Sequence, residues 1–323
     1  MSDTVSDNRQ LPHLPVTVFS TVMGMTGFAI AWQKACSVWG IPEVVALVLV
    51  IGASLLFVAL LISYLLKACF HRQEVAAEWR HPVRVSFFPT ISISLLLLAI
   101  AWRQTAPDLA LTLWIAGAVV HFAFTLAILS SWMNHTHYDI KHANPGWFIP
   151  VVGNLFVPIS ASGFQMPEVG WFFFSIGMVF WLVLLTIVVY RIIFHDPLPP
   201  RLVPTLFILI APPAVGMIAY VSMTGSVDAF ARVLYYTALF LVLFLGSNVA
   251  RFLRNEFFIS SWAFSFPLAA ITIASFVMKK YTDLPGFDAI AAVLLMVLSL
   301  VVLVLLGKTC GAMARGEICR PEH

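Results

Sequence analysis

Charged side chains are scarce in this chain. Asp, Glu, Lys and Arg make up 10% of it, against about 25% in a soluble domain. Hydrophobic residues reach 61% and mean hydropathy is +0.95. A soluble fold is excluded, and the apolar runs are long enough for membrane helices rather than barrel strands. Cysteine is also rare: Cys36, Cys69, Cys310 and Cys319 are scattered and form no CxxC pair, so neither a disulfide framework nor a zinc site follows. The formal charge of +3 is small, and no basic cluster with interleaved aromatics suggests nucleic acid. The opening "MSDTVSDNRQLPHLP" lacks the basic n-region and apolar core of a signal peptide and reads as a short cytoplasmic tail.

A membrane helix needs about 20 apolar residues. Runs of that kind occupy residues 16–37, 43–66, 85–102, 108–132, 147–165, 169–194, 202–223, 228–250, 257–278 and 286–307. The expectation is an all-α integral membrane protein with a tail at 1–15, a ten-helix domain at 16–308 and a second tail at 309–323. No extended regulatory domain is expected. Short connections make neighbouring spans antiparallel hairpins. Thirteen of the eighteen Lys and Arg residues fall on the side holding both termini. The positive-inside rule makes that side cytoplasmic, so a multi-pass plasma-membrane protein (inner membrane in a bacterium) is expected.

Proline divides the spans into two kinds. Pro89, Pro150, Pro158, Pro204, Pro212, Pro213 and Pro267 lie inside spans 3, 5, 7 and 9, and span 1 carries Gly24 and Gly27. The even spans have no interior proline; Pro42, Pro107, Pro167 and Pro285 precede them, where proline is tolerated. An interior proline removes one backbone hydrogen bond. Exposed polar backbone survives at membrane depth only where protein buries it or water reaches it. The odd spans are therefore expected inside and kinked, as a ring around a central path, with the even spans outside. A packed bundle with ordinary kinks is the alternative.

Little in the odd spans ionises. The carboxylates fall in loops or at helix ends, which favours a passive conduit over a proton-coupled pump. No Ser/His/Asp, HExxH or Cys/His constellation stands on facing spans, so neither an enzyme nor a cofactor is expected. The hydroxyls and amide of Ser20, Thr21, Thr26, Ser86, Thr90, Ser92, Ser94, Asn154, Ser160, Ser162 and Ser265 offer weak solvation for an anion, or packing hydrogen bonds. Arg84 is a candidate for drawing anions to the cytoplasmic mouth, or a positive-inside anchor. His121, in span 4, reads as an interhelical hydrogen-bond partner. His135, His137 and His142 with Asp139 read as a solvated loop, since nothing fixes a tetrahedral metal set. Trp32, Trp102, Trp132, Trp147 and Trp171 read as interface anchors.

Three stretches resemble one family. "SSWAFSFPLAA" at 260–270 resembles the helix-9 signature of the TehA/slow-type anion channel family, "HPVRVSFF" at 81–88 its third helix and "VMGMTGFAIAW" at 22–32 its first. That family includes tellurite-resistance proteins, guard-cell S-type anion channels and malate and sulfite transporters. The resemblance implies a homotrimer in the lipid bilayer, with a pore in each protomer formed by five hairpins. It implies passage of small anions such as chloride and nitrate, or, alternatively, secondary transport of dicarboxylate, sulfite or another oxyanion. It makes Phe266 the ring that plugs the pore, with Phe264 a core residue. Phe88, or else Phe87, would be the aromatic packing close to the plug. Pro267, Gly24, Pro158 and Pro212 become supporting or pore-lining candidates, and no metal is implied. Where some bacterial relatives have glycine after the plug this chain has Pro267, as plant channels do.

Overall fold

A computed structural model describes residues 11–134, 138–254 and 256–319. Arg9, Arg320, His135 and His137 lie outside the described residues, as do the outer parts of both expected tails. Among the described residues the structure is helical and contains no strand. Ten helices among the described residues are long and apolar enough to cross a membrane: spans 1 to 10 are Val16–Trp39, Val44–Phe70, Arg84–Trp102, Pro107–Asn134, Pro145–Phe164, Pro167–Phe194, Pro200–Thr224, Ala229–Gly246, Ile259–Thr282 and Pro285–Ala314. Span 8 stops earlier than its hydropathy suggested: the helix ends at Gly246 and a short helix, Val249–Leu253, follows. Span 10 runs on to Ala314, and Trp262 Nε1 donates to Thr309 Oγ1 on that extension at 3.0 Å.

The two kinds of span differ in backbone and in burial. Each even span is one unbroken α-helix. Each odd span begins with 3-10 turns and only then becomes α-helical, at Phe19, Pro89, Ala211 and Ser265 in spans 1, 3, 7 and 9. Span 5 alternates twice, with α turns at Ile149–Val152 and Val157–Ala161 set between 3-10 turns. In the most apolar stretch of each span, between 72% and 83% of residues are buried for the odd spans and between 22% and 33% for the even ones. Span 1 packs on spans 3 and 9, span 9 on 7, 7 on 5, and 5 on 3, so the inner helices close a ring. Each even span packs against the odd span that precedes it.

The prolines inside the odd spans gather at the junctions between 3-10 and α geometry. Pro89, Pro150, Pro158, Pro212, Pro213 and Pro267 all fall within the first three residues of an α segment. The chain is already helical there: Ser265 N–H donates to the Trp262 carbonyl, Ala211 N–H to Ile208 and Val157 N–H to Asn154, so each proline falls where bonding changes from the 3-10 to the α pattern. Pro204 alone lies away from such a junction, in the 3-10 stretch Pro200–Ile210.

A buried ion pair fixes the start of span 1. Lys67 and Glu78 are almost fully enclosed, with Lys67 Nζ 3.2 Å from Glu78 Oε2. Lys67 also donates to the Leu14 carbonyl at 2.8 Å, Tyr64 OH donates to Glu78 Oε2 at 2.6 Å, and the Val16 amide donates to Glu78 Oε1 at 3.3 Å. Glu78 comes from the short helix Arg72–Arg80. The pair therefore ties the lead-in of span 1 to the end of span 2. Breaking one partner of such a pair leaves a buried charge. Lys67→Met should lower stability by about 3–5 kcal/mol, seen as a fall in the thermal unfolding midpoint in detergent. Lys67→Met/Glu78→Gln should recover part of it; an unchanged midpoint in the single variant would contradict this reading.

Candidate functional site

Two cavities lie inside the inner ring. The larger, about 710 Å³, is lined chiefly by the C-terminal parts of the odd spans and the loops that follow them, with Phe266 and the start of span 2, at the face opposite the termini. The smaller, about 60 Å³, lies toward the terminal face and is walled by Ser20, Met23, Phe87, Thr90, Ile149 and Trp262, among others. Phe156, Val215 and Phe266 belong to the walls of both. Phe266 is 7% exposed, and its ring meets that of Phe156 edge-on with centroids 5.3 Å apart.

Glycine sets the spacing around this ring. A methyl group at Gly27 would lie 3.0 Å from Phe266 Cδ2 and 3.1 Å from Ala269 Cβ. One at Gly24 would collide with Ser265 Oγ and come within 2.8 Å of Trp262. Spans 1 and 9 approach this closely because both positions lack a side chain. Phe264, two residues from Phe266, turns away and packs edge-on against Phe207 and Phe252, with centroids 4.7 Å and 5.8 Å distant.

The polar side chains of the ring are largely occupied. Ser20, Thr21, Thr90, Ser94 and Ser265 donate to carbonyls three or four residues back in their own helices. His121 Nδ1 lies 2.9 Å from Ser92 Oγ, and its ring fills the space a side chain at Gly153 would need. It joins spans 3, 4 and 5 as an interhelical partner. Thr26 Oγ1, Ser86 Oγ and Ser160 Oγ are buried without a partner among the described residues. The smaller cavity's wall beside Phe266 is thus largely apolar, with its two hydroxyls, Ser20 and Thr90, turned to their own backbone.

The family model described as the voltage-dependent anion channel, SLAC1, matches residues 13–310. The S-type anion channel SLAH2 of Arabidopsis thaliana is 31% identical over 281 residues, 84% of this chain and 53% of that protein. An uncharacterized transporter of Methanocaldococcus jannaschii is 27% identical over 330 residues, covering 94% of this chain and 96% of its own. The tellurite resistance protein TehA homolog of Haemophilus influenzae is 28% identical over 286 residues, 87% of this chain and 86% of that protein. This chain belongs to the SLAC1 family. It spans about half the length of its plant relatives in that family, such as SLAH2, and nearly all of the archaeal one.

In this SLAC1-family chain the residues singled out by sequence are only partly brought together. Phe266, Pro267 and Phe87 line the small cavity. Gly24 lies at the contact of spans 1 and 9. Phe88 does not reach Phe266; its ring packs among Trp79, Tyr64 and Phe124 at 4.9, 6.3 and 6.3 Å. The ring beside Phe266 is instead Phe156 of span 5, with Gly27 on another side; sequence reading missed Phe156 and marked Gly27 only as a glycine of span 1. Pro158 faces Gly170 of span 6, and neither it nor Pro212 lines a cavity. Arg84 likewise lines neither. The cations on a cavity wall are Lys34, Arg103 and Lys280, at the opposite end. His142 Nδ1 accepts from the Asp139 amide at 3.1 Å, and no group of three or more metal-ligating side chains occurs among the described residues. Trp102 donates to Ser54 Oγ at 3.0 Å and Trp147 is buried and stacked on Trp132 at 4.9 Å, so these are packing residues as much as interface anchors. Gly24→Ala should force spans 1 and 9 apart and lower the detergent unfolding midpoint by several degrees, about the effect of 1–3 kcal/mol of overpacking. An unchanged midpoint would contradict this packing.

Proposed function

We propose that the chain is a gated channel for small monovalent anions such as chloride and nitrate, closed by the Phe266 ring. The observation that carries this is the shared wall: Phe266, Phe156 and Val215 are all that the two cavities have in common. With both termini cytoplasmic, as the Lys and Arg count favours, the larger cavity opens to the outside. The anion preference draws on the family and on two features of the path. The smaller cavity's wall carries no ionisable side chain, so neither a cation site nor a proton relay is built there. The α segments of spans 3, 7 and 9 begin at Pro89, Ala211 and Ser265 beside it, so the polarity the path meets there comes from main chain and hydroxyls and not from ionised groups.

Opening requires the Phe266 ring to leave the axis. Gly27 and Phe156 press on it, so its rotation is coupled to small shifts of spans 1 and 5. The apolar wall excludes water while the ring is in place, so dewetting adds to the steric block. Pro267 belongs to the first turn after the 3-10 to α transition, where span 9 changes its hydrogen-bonding pattern. Phe266→Ala should raise chloride current in oocytes or planar bilayers by about tenfold or more, an order expected when a hydrophobic block is removed. Phe156→Ala should give a smaller rise. Unchanged current from Phe266→Ala at normal surface expression would overturn the assignment.

A further inference from the structure

Three cations stand around the larger cavity. Lys34 projects from span 1, Arg103 follows the last residue of span 3, and Lys280 belongs to the last turn of span 9. Arg103 lies over Gly163 at the end of span 5, where a methyl group would come within 2.9 Å of Nη1. Lys34 is within electrostatic reach of both Lys280 and Arg103. Among the described residues none of the three has a carboxylate within salt-bridge distance. The neighbouring Lys279, by contrast, is paired with Asp283 at 2.9 Å. Glu43 supplies the one carboxylate on the cavity wall, which leaves a surplus of two positive charges there.

Helix dipoles do not account for this cluster. Arg103 and Lys280 sit at helix C-termini, where a cation is favoured. Lys34 lies more than a turn inside a helix that ends at Trp39, beyond the reach of that effect. Like charges gathered around one cavity repel unless a counter-ion joins them. The cavity has the room, and its floor is Phe266.

We propose that this vestibule is an anion-docking site that concentrates small anions in front of the gate and holds small dianionic oxyanions more tightly than chloride. Two charges on the ligand double its attraction to the three cations. A charged, walled cleft also focuses the field and raises the local concentration of its counter-ion. The proposal rests on the anion-channel reading only for its consequence in current, not for the binding itself.

Two measurements test it. In Phe266→Ala channels, inorganic sulfate added on the vestibule side at low ionic strength should inhibit chloride current. Lys34→Gln/Arg103→Gln/Lys280→Gln should raise the half-inhibiting sulfate concentration by about tenfold, and the difference should shrink at about 1 M salt, where the Debye length is about 3 Å. Lys279→Gln should change nothing. Equal sulfate sensitivity in the triple variant and its parent would overturn the proposal. The second measurement needs no current. Ser37 is exposed and lines the cavity. In a background without native cysteines, Ser37→Cys should react faster with an anionic than with a cationic methanethiosulfonate, by about tenfold, and the triple variant should abolish the preference. Equal rates before neutralisation would overturn the vestibule site. Absence of chloride current in Phe266→Ala with the rate preference intact would overturn the channel reading instead.

Discussion

Every backbone N–H and C=O inside a bilayer must find a partner, because lipid offers none. The inner spans meet this requirement under difficulty, since each changes from 3-10 to α geometry along its length. Span 5 changes most often, and its neighbour span 4 supplies what its backbone lacks. Thr125 donates to the Pro150 carbonyl at 2.7 Å and Trp114 to the Val157 carbonyl at 2.9 Å, while Asn154 of span 5 itself donates to the Val151 carbonyl at 2.8 Å. The two-layer architecture follows. Broken helices are viable inside because unbroken ones enclose them, and unbroken helices can face lipid because they need nothing from it.

The same constraint keeps the centre of the ring uncharged. Ser20, Thr90 and Ser265 spend their protons on their own helices, which leaves a largely apolar wall beside Phe266. On this account a single aromatic ring suffices as a gate, because a narrow apolar bore is also unfavourable for water. Glycines at positions 24 and 27 bring span 1 close enough to make the fit tight. Charge is placed instead at the ends of the inner helices, where solvent can reach it and the cost of burial is avoided.

Much of this was written in the sequence. Hydropathy located ten spans, and the odd-even distribution of proline separated inner from outer helices before any contact was known. The detail of the prolines was not legible: a sequence shows that Pro267 is in a span, but not that α geometry replaces 3-10 geometry two residues before it. Phe264 and Phe266 were told apart by the resemblance, and two residues apart on a helix they point to different sides. Phe88 and Phe87 are adjacent, and which one turns inward depends on the 3-10 turn Arg84–Phe87, which hydropathy does not reveal. Phe156 was hidden for the same reason, lying in the most irregular span. Lys34, Arg103 and Lys280 are far apart in the chain. Their shared trait, a place toward the C-terminal side of an odd span, acquires meaning only once the five odd spans are known to form a ring.

The central claim is that anions pass through the inner ring and that Phe266 stops them. The reversal potential of the Phe266→Ala current under a chloride gradient, with an impermeant cation on both sides, tests it most directly. The account predicts reversal near the chloride equilibrium potential and a shift of that potential when nitrate replaces chloride on one side. A reversal potential that ignores the chloride gradient would contradict it.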